Sequence, residues 1–322
     1  MRTIKLGFLL VLTLLANSAI AKDSTLSLPD YVPVENKNLI NGLLTSAGST
    51  TVSPILEAWF KRFVSFYPEV EYKMSAAGSG TAPKALMDGS AMIGAMSRAI
   101  KDKEAEAFKA LKYYKPTEIR VTLDALGVIV NPLNPLKSIS QTELDAIYST
   151  TRNCGYPDDI TDWKVLGWDI PQKLEVHFIH PNAGGSGFFS KKTLCGGEYK
   201  DSKFPLIERG TVMIETVSKS RFSIGISSMT KMNNTVKRLK VGKTKQHPGY
   251  LPTATNITNN KYPLTRYLYL YIDKRPDTEL PNHLREFIKF IFSRQGQQIS
   301  LVNGGFPLSP AEIGDQLDNL LN

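Results

Sequence analysis

The sequence predicts an α/β protein with largely parallel sheets. Two observations carry that prediction. Short apolar runs rich in β-branched residues alternate with helical patterns along most of the chain, and such alternation builds βαβ units. One local pattern, a strand, a Gly/Ser/Thr turn and then a helix, also occurs three times: AGSTTVSP (47–54), AAGSGTAP (76–83) and NAGGSGFF (182–189). The 322 residues suffice for one large domain or two of medium size. With 42% hydrophobic and 21% charged residues, the composition is that of a soluble globular protein. No internal apolar run reaches the roughly 20 residues that cross a bilayer.

Residues 1–21 read as a secretory signal peptide, set aside from the fold. Arg2 and Lys5 form a basic start, residues 6–15 are apolar apart from Gly7 and Thr13, and Ala19-Ile20-Ala21 is a small-x-small cleavage site. The alternative, a membrane anchor, needs a longer apolar core. A lipid anchor needs a cysteine beside the cleavage site, and none is there. The mature chain is expected to begin near Lys22, in the periplasm. Export permits disulfides, and with only Cys154 and Cys195 present a single intramolecular bridge is expected. Their spacing suits neither a redox CxxC pair nor a zinc site. His177, His180, His247 and His283 form no metal-ligand motif, so no metal is expected. The net charge of +9 falls by two when Arg2 and Lys5 are removed, and the remaining excess favours anionic partners in general. Export argues against nucleic acid.

The elements follow in order. Residues 22–38 are polar and proline-containing, an irregular lead-in, and 38–45 read as the first strand. Ser53-Pro54 opens a helix, serine as N-cap and proline at the first helical position, with Ile55, Leu56, Trp59, Phe60 and Phe63 at helical spacing before Pro68. Alternating Val70, Tyr72 and Met74 make 69–75 a strand. A short helix lies between Pro83 and Gly89, a buried strand at 91–97 and a charged helix at 101–112. Residues 120–130 are apolar and β-prone, two short strands or one bent one, punctuated by Asn131-Pro132-Leu133-Asn134-Pro135. A helix at 141–148 and a turn-rich stretch to 172 precede a strand at 174–179. GGSGFFSKKTL reads as loop then helix. A helix at 208–219, a strand at 222–227, an aromatic strand at 264–272 and helices at 280–292 and 297–302 complete the chain.

The three glycine-rich turns restrict the chemistry. A P-loop needs GxxxxGK[ST], which none has. A dinucleotide fingerprint fails at Pro83, the sixth position of Gly78-Ser79-Gly80-Thr81-Ala82-Pro83. A nucleophile elbow, GxSxG, fails in frame around Ser186, and Ala77 stands where Ser79 would need glycine. No histidine can be assigned as its base, so no enzyme and no cofactor are expected. A helix N-terminus instead offers free N–H groups and partial positive charge to a small oxyanion, and Ser and Thr hydroxyls add donors. An ordinary helix cap is the alternative for each turn taken alone. Arg98, in Met96-Ser97-Arg98, would end a buried strand facing the same cleft, its fork suited to a tetrahedral oxyanion; a surface ion pair is the alternative.

The ordered series GSTTVSP, AAGSGTAPKAL, IGAMSRAI, LDALGVIVNPLNPL, QTELDAIYS, GGSGFF, FSIGIS, YPLTRYLYLYID and FSRQGQQI with GGFPLSP resembles the phosphate-binding proteins of phosphate ABC transporters, type II periplasmic binding proteins. The resemblance runs from about Gly48 to Leu308. It implies two lobes, each a mixed, mostly parallel sheet flanked by helices, joined by a two-strand hinge. Residues 39–130 with 264–322 would form lobe I, and 131–263 lobe II. The ligand would be inorganic phosphate, passed by a monomeric binding protein to a membrane permease and its ATPase on separate chains. Ser49, Thr50 and Thr51 match the first phosphate loop, Ser79, Gly80 and Thr81 the second, and Ser97 with Arg98 a pair found in many members. In another branch the position of Ser97 is an aspartate that accepts the proton of bound phosphate. In the third loop Asn182 falls near a common arginine position and Phe188 at a common threonine, leaving Gly185, Ser186 and Gly187 as donors. Asp124 would supply an acceptor if it faces the cleft, and otherwise a structural role at the hinge strands. These departures keep another oxyanion (sulfate or tungstate), or a secreted interaction or adhesion role on the same fold, open as alternatives.

Overall fold

The computed structural model of the chain describes residues 28–169, 171–180, 184–200, 206–207, 209–247 and 249–321. The signal-peptide segment 1–21 lies outside the described residues.

Two strands organise the molecule. β1 (Gly42–Gly48) leads into α1 (Ser53–Phe66), then β2 (Val70–Ser75), the short α2 (Ala82–Met87), β3 (Ile93–Met96) and α3 (Asp102–Lys112). β1 pairs in parallel with both β2 and β3. β4 (Thr117–Val130) follows as a single 14-residue strand, resolving the choice between two short strands and one. Its first part pairs antiparallel with β12 (Thr265–Ile272), its last part with β9 (Ser223–Ser228). β4 therefore pairs with both β12 and β9, and β12 lies between β3 and β4. The sheet order is β2-β1-β3-β12-β4-β9, with β6 (Glu175–Val176) at the far edge and β10 (Lys237–Arg238) on β4. Parallel pairing holds at β1–β2, β1–β3 and β6–β9, and every antiparallel pair in this sheet involves β4 or β12.

The remaining elements are β5 (Ser138–Ser140), α4 (Gln141–Tyr148), β7 (Phe178–Ile179), α5 (Gly184–Thr193), β8 (Leu206–Ile207), α6 (Gly210–Lys219), β11 (Lys240–Gly242), α7 (Ala254–Thr258), α8 (Asn282–Phe292), α9 (Arg294–Val302) and α10 (Pro310–Leu321). Around β1 the core is aromatic. Phe60 stacks on Phe287 at 4.6 Å, Phe63 meets the same ring edge-on, and the Trp59 indole donates to the Gly296 carbonyl at 2.7 Å. Each such ring, fully buried, contributes roughly 1.5–3 kcal/mol. In the other half Met213 and Val217 of α6 lie over Gly225 of β9, where a Cβ would meet the Met213 sulfur at 2.5 Å. Cys154 and Cys195 form the expected disulfide, Cα atoms 5.4 Å apart. Among the described residues no helix is long and apolar enough to cross a membrane.

Three local expectations are corrected. The first strand begins at Gly42, not at residue 38, because Lys37–Leu39 close a 3-10 turn and Gly42 has φ +119°. Ser53 is already helical, and the turn before it is closed by Ser49, whose Oγ accepts the Thr51 and Val52 N–H groups at 3.1 and 3.3 Å. GGSGFF is not a loop before a helix but the first turn of α5 itself.

Candidate functional site

A cavity of about 50 Å³ opens between the turn after β1 and the strands β4, β9 and β12. At roughly 10–15 Å³ per water-sized probe, it has room for a few waters or one small tetrahedral ion, not a nucleotide. One wall is the turn between β1 and α1. Gly48 ends β1 with φ +137°, and a Cβ there would lie 2.0 Å from the Ala95 carbonyl oxygen. Only glycine lets β1 turn this close to β3, where Ser49 N donates to Ala95 O at 2.8 Å. The turn presents Ser49, Thr50 and Thr51 to the cavity ahead of α1. The Thr50 and Thr51 hydroxyls make no hydrogen bond with the described residues. Gly78 and Ser79 stand beside them, with Gly78 N held by Gly48 O at 2.8 Å.

The opposite wall brings two more helix starts. Gly185 in the first turn of α5 lines the cavity, as do Arg209 and Gly210, the N-cap and first residue of α6. A Cβ on Gly210 would meet Ser227 Oγ at 2.8 Å and Lys231 Cγ at 3.2 Å, so glycine allows the helix start to approach the end of β9. Ser227, Ser228 and Lys231 complete this wall, and burial pulls the Lys231 ammonium below the ordinary lysine value, opposed by the Asp124 carboxylate.

Arg266 of β12 lies between the walls. It is 5% exposed. Asp124, directly across the strand pair, receives its Nε at 2.9 Å and its Nη2 at 2.8 Å on one oxygen. The other carboxylate oxygen accepts from Ser228 Oγ at 2.8 Å. Nη1 is buried without a partner and lies 3.8 Å from where a Gly185 Cβ would sit. A buried guanidinium donor without an acceptor is costly unless something fills the site. Three helix N-termini and one unpartnered cationic donor thus border one small cavity, an arrangement that binds a compact anion.

The structure distributes the sequence candidates unevenly. Ser49, Thr50, Thr51, Ser79 and Gly185 line the cavity. Ser97 is buried against Ser79, its N–H donating to Ser79 Oγ at 3.0 Å, and stands behind the wall. Gly80 and Thr81 are exposed outside it, the Thr81 hydroxyl turned back to Gly78 O. Arg98 lies off this cavity's lining, its fork bidentate on Glu104 in the first turn of α3 at 2.8 and 2.7 Å. Asp124 does not line the cavity either. It is fully buried and its two oxygens already serve Arg266 and Ser228. Ser186 is buried and off this cavity's lining, and Gly187 is exposed on a wider groove nearby. Asn182 lies outside the described residues. The inspection of the sequence missed Arg266, Arg209, Gly210, Ser227, Ser228 and Lys231. One signal for Arg266 was available: it shares the buried phase of β12 with Leu268 and Leu270. Among the described residues no cluster of His, Cys, Asp or Glu could hold a metal.

A family model for the PBP superfamily domain matches residues 26–295. The chain belongs to the PBP superfamily. Among curated relatives, the phosphate-binding protein PstS of Pseudomonas aeruginosa is 34% identical over 293 residues, 90% of this chain and 89% of that protein. Protein SphX of Synechococcus elongatus is 26% identical, over 82% of this chain and 77% of its own. Among solved structures, a phosphate ABC transporter substrate-binding protein with bound phosphate from Clostridium perfringens superposes with a TM-score of 0.68 at 23% identity, covering 83% of this chain and all of that one. The phosphate transport receptor of Vibrio cholerae superposes at 0.63, again 23% identical, over 82% of this chain and 99% of that one. At that identity the likeness shows the fold, and the family's mixed sheet flanked by helices is the one described above.

Proposed function

We propose that this protein captures inorganic phosphate in the cavity between β4, β12 and the three helix starts, and delivers it to an ABC transporter. The observation that carries the proposal is Arg266 Nη1, buried, cationic and without an acceptor, beside a cavity of ionic size. The 34% identity to a phosphate-binding protein over nearly the whole chain supports the same ligand. The Thr50 and Thr51 hydroxyls, the Gly185 and Gly210 N–H groups and Arg266 would hold its oxygens. No nucleophile paired with a base borders the cavity, which supports capture without turnover. The permease and ATPase would be separate chains and the protein a monomer. It would act in the periplasm after removal of residues 1–21, with cleavage near Ala21. Residues 39–130 with 264–322 and residues 131–263 would form two lobes that close on the ion by bending where β4 and β12 leave one another. Calorimetry of the dialysed protein tests this. One-site heat with phosphate is expected, weakened at least about tenfold by Arg266→Lys, which keeps the charge beside Asp124 and removes the separate Nη1 donor. Absence of heat with phosphate sinks the reading.

A further inference from the structure

We infer that Lys231 is a ligand of the bound anion and that, resting on the oxyanion reading above, the site selects by charge, taking divalent tetrahedral oxyanions, hydrogen phosphate and sulfate alike, over monovalent ones. Three observations lead there. Lys231 lines the cavity from the turn after β9, its stem held against Gly210. It is half-buried and makes no hydrogen bond or ion pair among the described residues. A half-buried ammonium without a partner is unfavourable in the empty site and favourable beside an anion.

The second observation is the charge of the lining. Arg209, Lys231 and Arg266 are cationic, and no described carboxylate borders the cavity. The charged groups around Lys231 are Asp124 on β4, Arg266 on β12 and Arg209 ahead of α6, and Asp124 offsets one cation by its bond to Arg266. A divalent ion neutralises what remains.

The third is the shortage of acceptors. Protons on a bound oxyanion need oxygen lone pairs to receive them. Asp124 gives its oxygens to Arg266 and Ser228, Ser49 Oγ to the Thr51 and Val52 N–H groups, and Ser79 Oγ to Ser97 N–H. The free Thr50 and Thr51 hydroxyls, and Ser227 Oγ, whose own proton goes to the Gly210 carbonyl at 3.2 Å, can receive the single proton of hydrogen phosphate. A dihydrogen phosphate would compete for the same few acceptors and carry less charge. Sulfate needs none, so nothing in this lining rejects it.

The test is calorimetry of the dialysed protein with phosphate and with sulfate, at about pH 6 and about pH 8, on wild type, Lys231→Met and Lys231→Arg. Wild type should bind sulfate at both pH values and phosphate more tightly at the higher, where the divalent form dominates. Lys231→Met should weaken both divalent ions about tenfold or more and flatten the phosphate pH dependence, Lys231→Arg should retain both, and ligand-free melting of Lys231→Met should not fall. Affinities for Lys231→Met within about twofold of wild type overturn the inference while leaving phosphate capture standing. So does a wild type that binds phosphate and not sulfate. Wild type that binds neither ion overturns both.

Discussion

Arg98 and Arg266 show how a residue's role depends on what stands across from it. Arg266 lies on β12 and Arg98 in the bend after β3, and both have a carboxylate partner. Glu104 takes the whole fork of Arg98, whereas Asp124 takes Nε and Nη2 of Arg266 and leaves Nη1 without a partner beside Gly185 of the cavity lining. Arg98→Met should therefore leave phosphate affinity within about twofold and cost about 1–3 kcal/mol, since the pair is bidentate and its side chains are only 12% and 17% exposed. Arg266→Met should abolish detectable binding and cost about 3–5 kcal/mol, because Asp124 would remain fully buried without its cation. Urea unfolding and calorimetry on the two variants check both. The sequence pointed to Arg98 and not to Arg266 for a physical reason. Arg98 ends a visible motif, while the pairing of residue 266 with residue 124 exists only once β12 and β4 are in register. The turn residues Ser49, Thr50, Thr51 and Ser79 were legible because their chemistry is local. Lys231 and Gly210 were not, because their neighbours come from distant segments.

At the scale of elements, the glycine positions decide how closely the cavity walls approach. Gly48 at φ +137° lets β1 touch β3, and alanine there must displace backbone. Gly48→Ala should destabilise the protein by several kcal/mol and weaken phosphate binding together, since Ser49, Thr50 and Thr51 move with the turn. Gly80→Ala, with no atom within 4 Å of the added Cβ, should do neither. Denaturation and titration of the pair separate local geometry from general loss of stability. Helices and strands with clean periodicity were readable: residues 141–148 stand as expected. Glycine-rich GGSGFF was not, because its glycines favour a loop and only its own last residue, Phe189, fully buried among aromatic rings, draws it into α5. The disulfide ties the segment after α4 to the end of α5 across 41 residues. On loop-closure entropy its removal by Cys154→Ser and Cys195→Ser should cost about 4 kcal/mol, measured by urea unfolding.

Over the whole molecule, acid should weaken the fold before it neutralises the carboxylates. Burial lowers the pKa of both His177 and His283 below the ordinary value of 6.5. The unfolded chain therefore takes up these protons at higher pH than the folded one does. The stability they contribute is present above about pH 6.5 and lost as pH falls below it. Melting temperature should drop between about pH 7 and pH 5, and less so in His177→Asn/His283→Asn. The class of the fold was legible from alternating strands and helices, but not the pairing of one strand, β4, with both β12 and β9, which joins distant segments. That pairing places Asp124, Leu126 and, through β12, Arg266 at the junction where the ion would sit. The central claim is that a tetrahedral anion binds there. A crystal structure grown in phosphate tests it most directly. Tetrahedral density within hydrogen-bonding distance of Arg266 Nη1, Gly185 N and the Thr51 hydroxyl is the predicted result. Density bound instead at Arg98, with this cavity empty, would contradict it.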